Sequence, residues 1–394
     1  MKYFLAIIGG GPAGYTAAEQ AAKAGKSVVL FERQSLGGTC LNVGCIPTKC
    51  FLHDTHAGIT DWKVLQQHKT RVVRKLVAGI RMRLKDVHVV MGHAQVHDGK
   101  VFCQNEEYEF ENLLICTGSS NFVPPIPGIT DNAAVWDSTD ALNAEEAPKS
   151  VVIVGGGVIG MEFATIYHAL GIPVTIIEAM PRILSSIDQD VVQVLYDKYI
   201  KAGIAIHTDT KVTAIEGHIV HTTQGDFEGD KILISVGRRP NISGFEELQG
   251  QANVYFAGDV TKTIMLAHVA ERQASAAVNT MLGINDEVNY EAIPAVVYTH
   301  PEIATVGVME GDIRALPMSY AGRFVVENDR ENGLCKMAVD PQSGKIKGVT
   351  MIGDPCSEII AAASIAISQG MRVDELKRVV FPHPTVSEIL KEIL

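Results

Sequence analysis

Apolar residues along this chain gather into short runs closed by glycine. Tyr3-Phe-Leu-Ala-Ile-Ile8 runs into Gly9-Gly-Gly11-Pro-Ala-Gly14, then an alanine-rich stretch, then Ser27-Val-Val-Leu-Phe-Glu32. The pattern returns at Val151-Val-Ile-Val154, Gly155-Gly-Gly157-Val-Ile-Gly160, a helical stretch and Val174-Thr-Ile-Ile-Glu178. In both copies 18 positions separate the last glycine from the acid. A continuous apolar run predicts a buried parallel strand, and the stretch behind the glycines predicts a helix. Each copy therefore reads as a βαβ unit of the dinucleotide-binding kind. The first glycine permits the tight turn, the second admits a pyrophosphate to the backbone, and the third lets helix and strand pack closely. The phosphates face a helix N-terminus, and the acid accepts from ribose hydroxyls. Beyond residue 290 the pattern changes. Strands are expected at Ala295–Tyr298, Cys335–Val339 and Ile346–Ile352, with helices at 356–369 and 385–394. The expected fold is α/β: two Rossmann-like domains plus a C-terminal α+β domain.

Length and composition narrow the class. The 394 residues are 46% hydrophobic and 20% charged, which fits a packed chain of several domains and excludes disorder. The net charge of −11 disfavours a nucleic-acid partner. No apolar run reaches the roughly 18 residues of a membrane helix, and the start of the chain lacks the features of a signal peptide. Seven cysteines fit a reducing, cytoplasmic setting better than a secreted disulfide scaffold.

The segment Gly37-Gly-Thr-Cys40-Leu-Asn-Val-Gly-Cys45-Ile-Pro-Thr-Lys49 concentrates the chemistry. In an unbroken helix the two cysteines would be about 7.5 Å apart in rise alone, beyond the roughly 4.4–6.8 Å Cα separation of a disulfide. A redox pair would therefore need a local distortion, and Gly44 is placed to allow one. Zinc is the competing reading. It usually shows two close pairs of ligands, and the second pair is missing, so no metal site is expected. The remaining cysteines, 50, 103, 116, 335 and 356, read as core residues.

This motif resembles that of the flavin-dependent pyridine nucleotide-disulfide oxidoreductases, and most of all their dihydrolipoamide-oxidising members. The resemblance runs nearly end to end. It includes both glycine fingerprints, Cys116-Thr-Gly118, Val236-Gly-Arg-Arg-Pro-Asn241, Ala257-Gly-Asp259-Val, Tyr298-Thr-His-Pro-Glu302 and His383-Pro-Thr-Val-Ser-Glu388. The resemblance implies FAD on the first unit, held by Gly9, Gly11, Gly14, Glu32, Gly38, Thr39, Thr117, Gly118, Gly258, Asp259 and the backbone of Met265, Leu266, Ala267 and His268. It implies NAD on the second, at Gly155, Gly157, Gly160, Glu178 and Gly237. Glu178 favours NAD independently, because a carboxylate repels the 2′-phosphate of NADP.

By the same resemblance Cys40 is the interchange thiol, Cys45 the flavin-side sulfur, and Lys49 with Glu162 an ion pair near the flavin. His383 is the base. Its ordinary pKa near 6.5 suits proton transfer at neutral pH. Glu388 would orient it, or cap the last helix through Thr385-Val-Ser-Glu388, the two roles using different oxygens. His383 would reach the other subunit's disulfide in a homodimer.

The implied activity is NAD-dependent oxidation of dihydrolipoamide carried by another protein of a 2-oxo acid dehydrogenase or glycine-cleavage complex, since no lipoyl-carrying segment precedes the first strand. The alternatives are reduction of another, glutathione-like disulfide, or a redox-inactive flavoprotein binding subunit. The expected domains are 1–118 with 250–290 for FAD, 119–249 for NAD, and 291–394 for the interface. Two stretches, Asn241–Ala257 and Val308–Phe324, are shorter than the resemblance would suggest.

Overall fold

A computed structural model describes residues 2–328 and 331–394. It divides into two compact units: the chain up to Phe122 with Ser138–Glu146 and Gly237–Val288, and Val123–Asp137 with Ala147–Val236 and Asn289–Leu394.

The first unit is built on a sheet whose parallel strands run in the order His88–Met91, Val28–Glu32, Lys2–Ile8, Glu106–Ile115, Val254–Phe256. The outer hairpin Gln95–His97 and Lys100–Cys103 adds antiparallel strands beside Glu106–Ile115. The register decides where the site lies. Ile8 pairs with both Phe31 and Ile115, and Ile115 with Phe256. Gly9, Glu32, Cys116 and Ala257 therefore leave the sheet together at its carboxyl edge, where ligands bind in such sheets. Helix Pro12–Lys23 buries Ala13, Gly14, Ala17, Ala18 and Ala21. Helix Ala267–Met281 meets it with Ala270, Ala274 and Ala277. Small side chains let the two axes approach closely.

The segments 119–121, 138–146 and 237–249, expected within the NAD domain, lie in the first unit. Hydrogen bonding gives the reason. Ser119–Asn121 pairs antiparallel with Arg238–Pro240. Helix Ser138–Asn143 ends in carbonyls gripped from helix Trp62–Arg83. Trp62 Nε1 donates to Ala144 O at 2.9 Å, Gln66 Nε2 to Leu142 O at 3.1 Å and Lys69 Nζ to Leu142 O at 2.6 Å. Carbonyls orphaned at a helix end find partners there.

The second unit carries a parallel sheet in the order Ala205–His207, Val174–Ile177, Val151–Val154, Lys231–Ile234, Val135–Trp136. Val154 pairs with Ile177 and Ile234, so Gly155, Glu178 and Ser235 share one edge, repeating the frame of the first sheet. A meander of Val212–Glu216, Ile219–Thr222 and Gly225–Glu228 is inserted in sequence between its strands Ala205–His207 and Lys231–Ile234. The C-terminal part is an antiparallel sheet, Pro294–Val297, Ile303–Gly307, Ile346–Ile352, Leu334–Val339, Asp312–Pro317. Phe324, Met337, Val349, Met351, Ile360 and Ile389 belong to its core. The strands and the helix Cys356–Ser368 fall where the sequence places them. The final stretch is instead a 3-10 turn at Val386–Glu388 and a short helix at Ile389–Glu392. Among the described residues no helix is long and apolar enough to cross a membrane.

Candidate functional site

Both glycine turns have the geometry their spacing predicts. Gly9 has φ +107°, and a Cβ there would fall 2.2 Å from the Cys116 carbonyl oxygen. A Cβ on Gly14 would lie 1.8 Å from the Gly9 carbonyl oxygen. The second copy matches: Gly155 has φ +111°, and a Cβ on Gly160 would lie 2.0 Å from Gly155 O. The middle glycines differ. A Cβ on Gly11 would meet nothing nearer than the Gly38 Cα at 3.8 Å, and one on Gly157 nothing within 4 Å. Protein packing does not demand glycine at these two positions, which leaves the backbone bare for a ligand. Helices Pro12–Lys23 and Val158–Ala169 begin at Gly11 and Gly157 without a side-chain cap, as helix Ala267–Met281 does at Leu266. Uncapped amides at a helix N-terminus attract phosphate and other acceptors.

The two acids are placed alike. Glu32 accepts from Gly10 N at 2.7 Å and Gln34 N at 2.7 Å; Glu178 accepts from Gly156 N at 2.6 Å and Met180 N at 2.8 Å. Each carboxylate is thereby fixed at the turn. Both cradles fit a dinucleotide.

Other side chains complete the first unit's edge. Asp259 accepts from Ser119 Oγ at 2.5 Å, and Arg238 forks onto Ser119 Oγ and O, each at 2.7 Å. Thr117 Oγ1 donates to Asn241 O at 2.6 Å, and Asn241 N to Gly118 O at 2.9 Å. Gly258 N donates to Gln273 Oε1 at 2.7 Å. Gly237, expected on the NAD side, belongs to the first unit, where its carbonyl accepts from Phe122 N at 3.0 Å. Sequence reasoning missed Ser119, Gln273 and the part played by Arg238. Arg238 sits inside a quoted motif, whereas Ser119 and Gln273 follow motifs with nothing to mark them.

The cysteines stand on either side of a helix break. Helix Gly38–Val43 carries Cys40, and helix Cys45–His56 begins at Cys45. Between them Gly44 has φ −147° and ψ −117°, and a Cβ there would press on Thr39 O at 3.0 Å and Cys40 Cα at 3.3 Å. The break brings the sulfurs together. Both cysteines are free thiols, and their side chains are hydrogen-bonded to one another. That bond, followed by burial, pushes the Cys40 thiol far above its ordinary range, and the nearby Lys49 ammonium works in the opposite direction. Glu271 also raises it, and accepts from Tyr15 Oη at 2.7 Å. The other five cysteines are buried, as expected of core residues, and burial pushes the Cys335 thiol up to about 12. Among the described residues no group of three or more His, Cys, Asp or Glu is arranged to hold a metal.

In the second unit Glu162 is buried on helix Val158–Ala169 and accepts from Tyr298 N at 3.1 Å. Its expected partner Lys49 belongs to the first unit. His383 is 79% exposed, and its Nδ1 lies 3.1 and 3.2 Å from the Glu388 oxygens. Glu388 Oε2 also accepts from Thr385 N at 3.0 Å and closes a capping box. Orienting His383 and capping the turn therefore coexist. They share Oε2, against the expectation of separate oxygens, because a carboxylate oxygen has two lone pairs.

Comparison with known proteins follows the same lines. Residues 3–274 match the family model "Pyridine nucleotide-disulphide oxidoreductase", and residues 293–394 match that family's dimerisation domain. The dihydrolipoyl dehydrogenase of Mycoplasma genitalium is 36% identical over 448 aligned positions, covering 100% of this chain and 98% of that protein. That of Bacillus subtilis is 34% identical, covering 99% and 97%. An alignment of 448 positions against 394 residues shows that this chain is shorter than that relative. Among solved structures, the Cu(II) complex of the HOCl-induced flavoprotein disulfide reductase RclA of Escherichia coli superposes with a TM-score of 0.92 at 28% identity, covering 100% of this chain and 99% of that one.

Proposed function

We propose that this chain, which belongs to the pyridine nucleotide-disulphide oxidoreductase family, oxidises protein-bound dihydrolipoamide with NAD through Cys40 and Cys45. FAD and NAD are its cofactors, and it is a homodimeric flavoprotein disulfide oxidoreductase. The observation that carries the reading is the contact between the two thiols across the Gly44 break. Full-length likeness to dihydrolipoyl dehydrogenases, at 36% and 34% identity, supports the choice of substrate.

Bound FAD supplies the two-electron relay between the cysteine pair and the nicotinamide. Gly9, Gly11, Gly14, Glu32, Asp259 and the amides from Met265 to His268 would hold it, with Gly38, Thr39, Thr117, Gly118 and Gly258 beside them. Gly155, Gly157, Gly160 and Glu178 would hold NAD, and the Glu178 carboxylate disfavours NADP.

The chain's own chemistry is thiol exchange. A substrate thiol gives its proton to His383, and its sulfur attacks the Cys40 sulfur of the oxidised pair. The Cys40–Cys45 bond breaks, leaving a mixed disulfide at Cys40 and a thiolate at Cys45. The second substrate thiol then displaces Cys40, which takes up a proton. The substrate leaves as a disulfide, and the protein keeps two electrons. In the reverse direction Cys40 is the attacking thiol and holds its proton tightly, so that step too needs a base at hand. Glu388 fixes the His383 ring. The intact cysteine pair and His383 disfavour a redox-inactive binding subunit, and the modest, odd cysteine count fits a cytoplasmic setting.

Anaerobic titration of the holoenzyme with dihydrolipoamide, then NAD, followed by absorbance, tests the reading. Reduction by the dithiol and reoxidation by NAD are expected. An absorbance spectrum unchanged by dihydrolipoamide would overturn it, and a pair reduced only by NADPH would assign the enzyme to another disulfide.

A further inference from the structure

Helix Trp62–Arg83 is 22 residues long and contains no acid, in a chain whose net charge is −11. Its inner face grips the helix that begins at Cys45. Trp62 and Phe51 rings lie 5.2 Å apart, and His68 Nδ1 is 2.7 Å from Asp54 Oδ2. It also packs against the short helix that carries Cys40. Leu65 and Lys69 are buried on the same inner side. The outer face repeats at helical spacing: Lys63, Gln67, Arg71, Arg74, Lys75 and Met82 are all exposed. Among the described residues these four cations form no ion pair. Gln66, Gln67, Thr70, Arg71 and Arg74 line a shallow groove of about 460 Å³. Elsewhere on a protein unpaired cations are simply solvated. Here the cations share a helix without a single acid, they stand out against an acidic whole, and the helix packs against both cysteine-bearing helices.

We propose that this outer face is the docking surface for an acidic carrier domain that presents its dihydrolipoyl arm to Cys40. The inference rests on the dithiol reading above and adds the partner's chemistry. An acidic carrier is repelled by the rest of the chain and drawn to this helix, so the field concentrates encounters where exchange occurs. Such attraction acts mainly on the association rate and is screened by salt, with a Debye length of about 10 Å at 0.1 M.

The test compares wild-type holoenzyme with the triple variant Arg71→Glu, Arg74→Glu, Lys75→Glu. Each is assayed on free dihydrolipoamide and on a dihydrolipoyl domain of net negative charge, at about 50 and 200 mM salt. For the variant, kcat/KM on the carrier is expected to fall about tenfold at low salt, with the wild-type salt dependence lost. Activity on free dihydrolipoamide is expected to stay within about twofold, which shows that fold and dimer persist. Unchanged carrier kinetics would overturn the proposal, and so would an equal fall on both substrates. Duplex DNA binding that the variant abolishes while carrier turnover persists would overturn it in favour of a nucleic acid. Wild-type enzyme inert on free dihydrolipoamide would remove the underlying dithiol reading instead, and the carrier with it.

Discussion

A single carboxylate carries two duties at the end of the chain. Glu388 accepts the Thr385 amide and the His383 ring, and both hold its carboxyl below the usual carboxylate range. A carboxylate depressed in the folded state adds stability that is present above its unfolded pKa and is lost as pH falls through the folded one. The turn from His383 to Glu388 should therefore loosen in acid, below about pH 4. Thermal unfolding should show wild type losing more stability than Glu388→Gln between about pH 6 and pH 3; parallel losses would deny the carboxylate this role. His383→Gln tests the neighbouring assignment. Because the attacking substrate thiol must give up its proton, removing the base should lower dithiol turnover by about 10²–10⁴-fold. FAD absorbance should remain that of wild type. Turnover close to wild type would remove His383 from the chemistry.

At the scale of the element, legibility followed local necessity. The fingerprints could be read because the fold forbids a side chain at Gly9, Gly14, Gly155 and Gly160, whatever else the sequence does. The cysteine pair could be read because a helix must break to bring two residues five apart together, and Gly44 marks the break. The Asp259–Ser119–Arg238 network could not, since its members come from segments about 120 to 140 positions apart and only the sheet register brings them together. The same reasoning separates two alanine substitutions. Gly160→Ala drives a Cβ into the Gly155 carbonyl and should destabilise the second unit by about 1–3 kcal/mol or more. Gly157→Ala meets open space and should leave the melting temperature nearly unchanged. It should nonetheless raise the KM for NAD at least about tenfold, because its methyl group occupies the approach of the pyrophosphate. A Gly157→Ala enzyme with wild-type KM would show that no nucleotide sits on this turn.

At the scale of the whole molecule, the chain keeps its chemical residues while shortening the connections between them. The run from Asn241 to Ala257 holds only one 3-10 turn and a three-residue strand, and Gly307 and Asp312 are joined by four residues. Neither shortened stretch removes a motif residue. What the sequence could not show is which subunit's cysteines each His383 serves. His383 is 79% exposed and lies in the family's dimerisation domain, whereas Cys40 and Cys45 belong to the other compact unit. Complementation separates the two arrangements. One subunit carries Cys45→Ser with His383 intact, and the other carries His383→Gln with both cysteines intact. Each variant alone should be inactive on dihydrolipoamide. After mixed refolding or co-expression, about half the dimers should contain one of each. If His383 acts on the partner, each such dimer has one complete site of two, so activity should recover to about a quarter of wild type. If His383 acts within its own chain, no dimer holds a complete site and the mixture stays inactive.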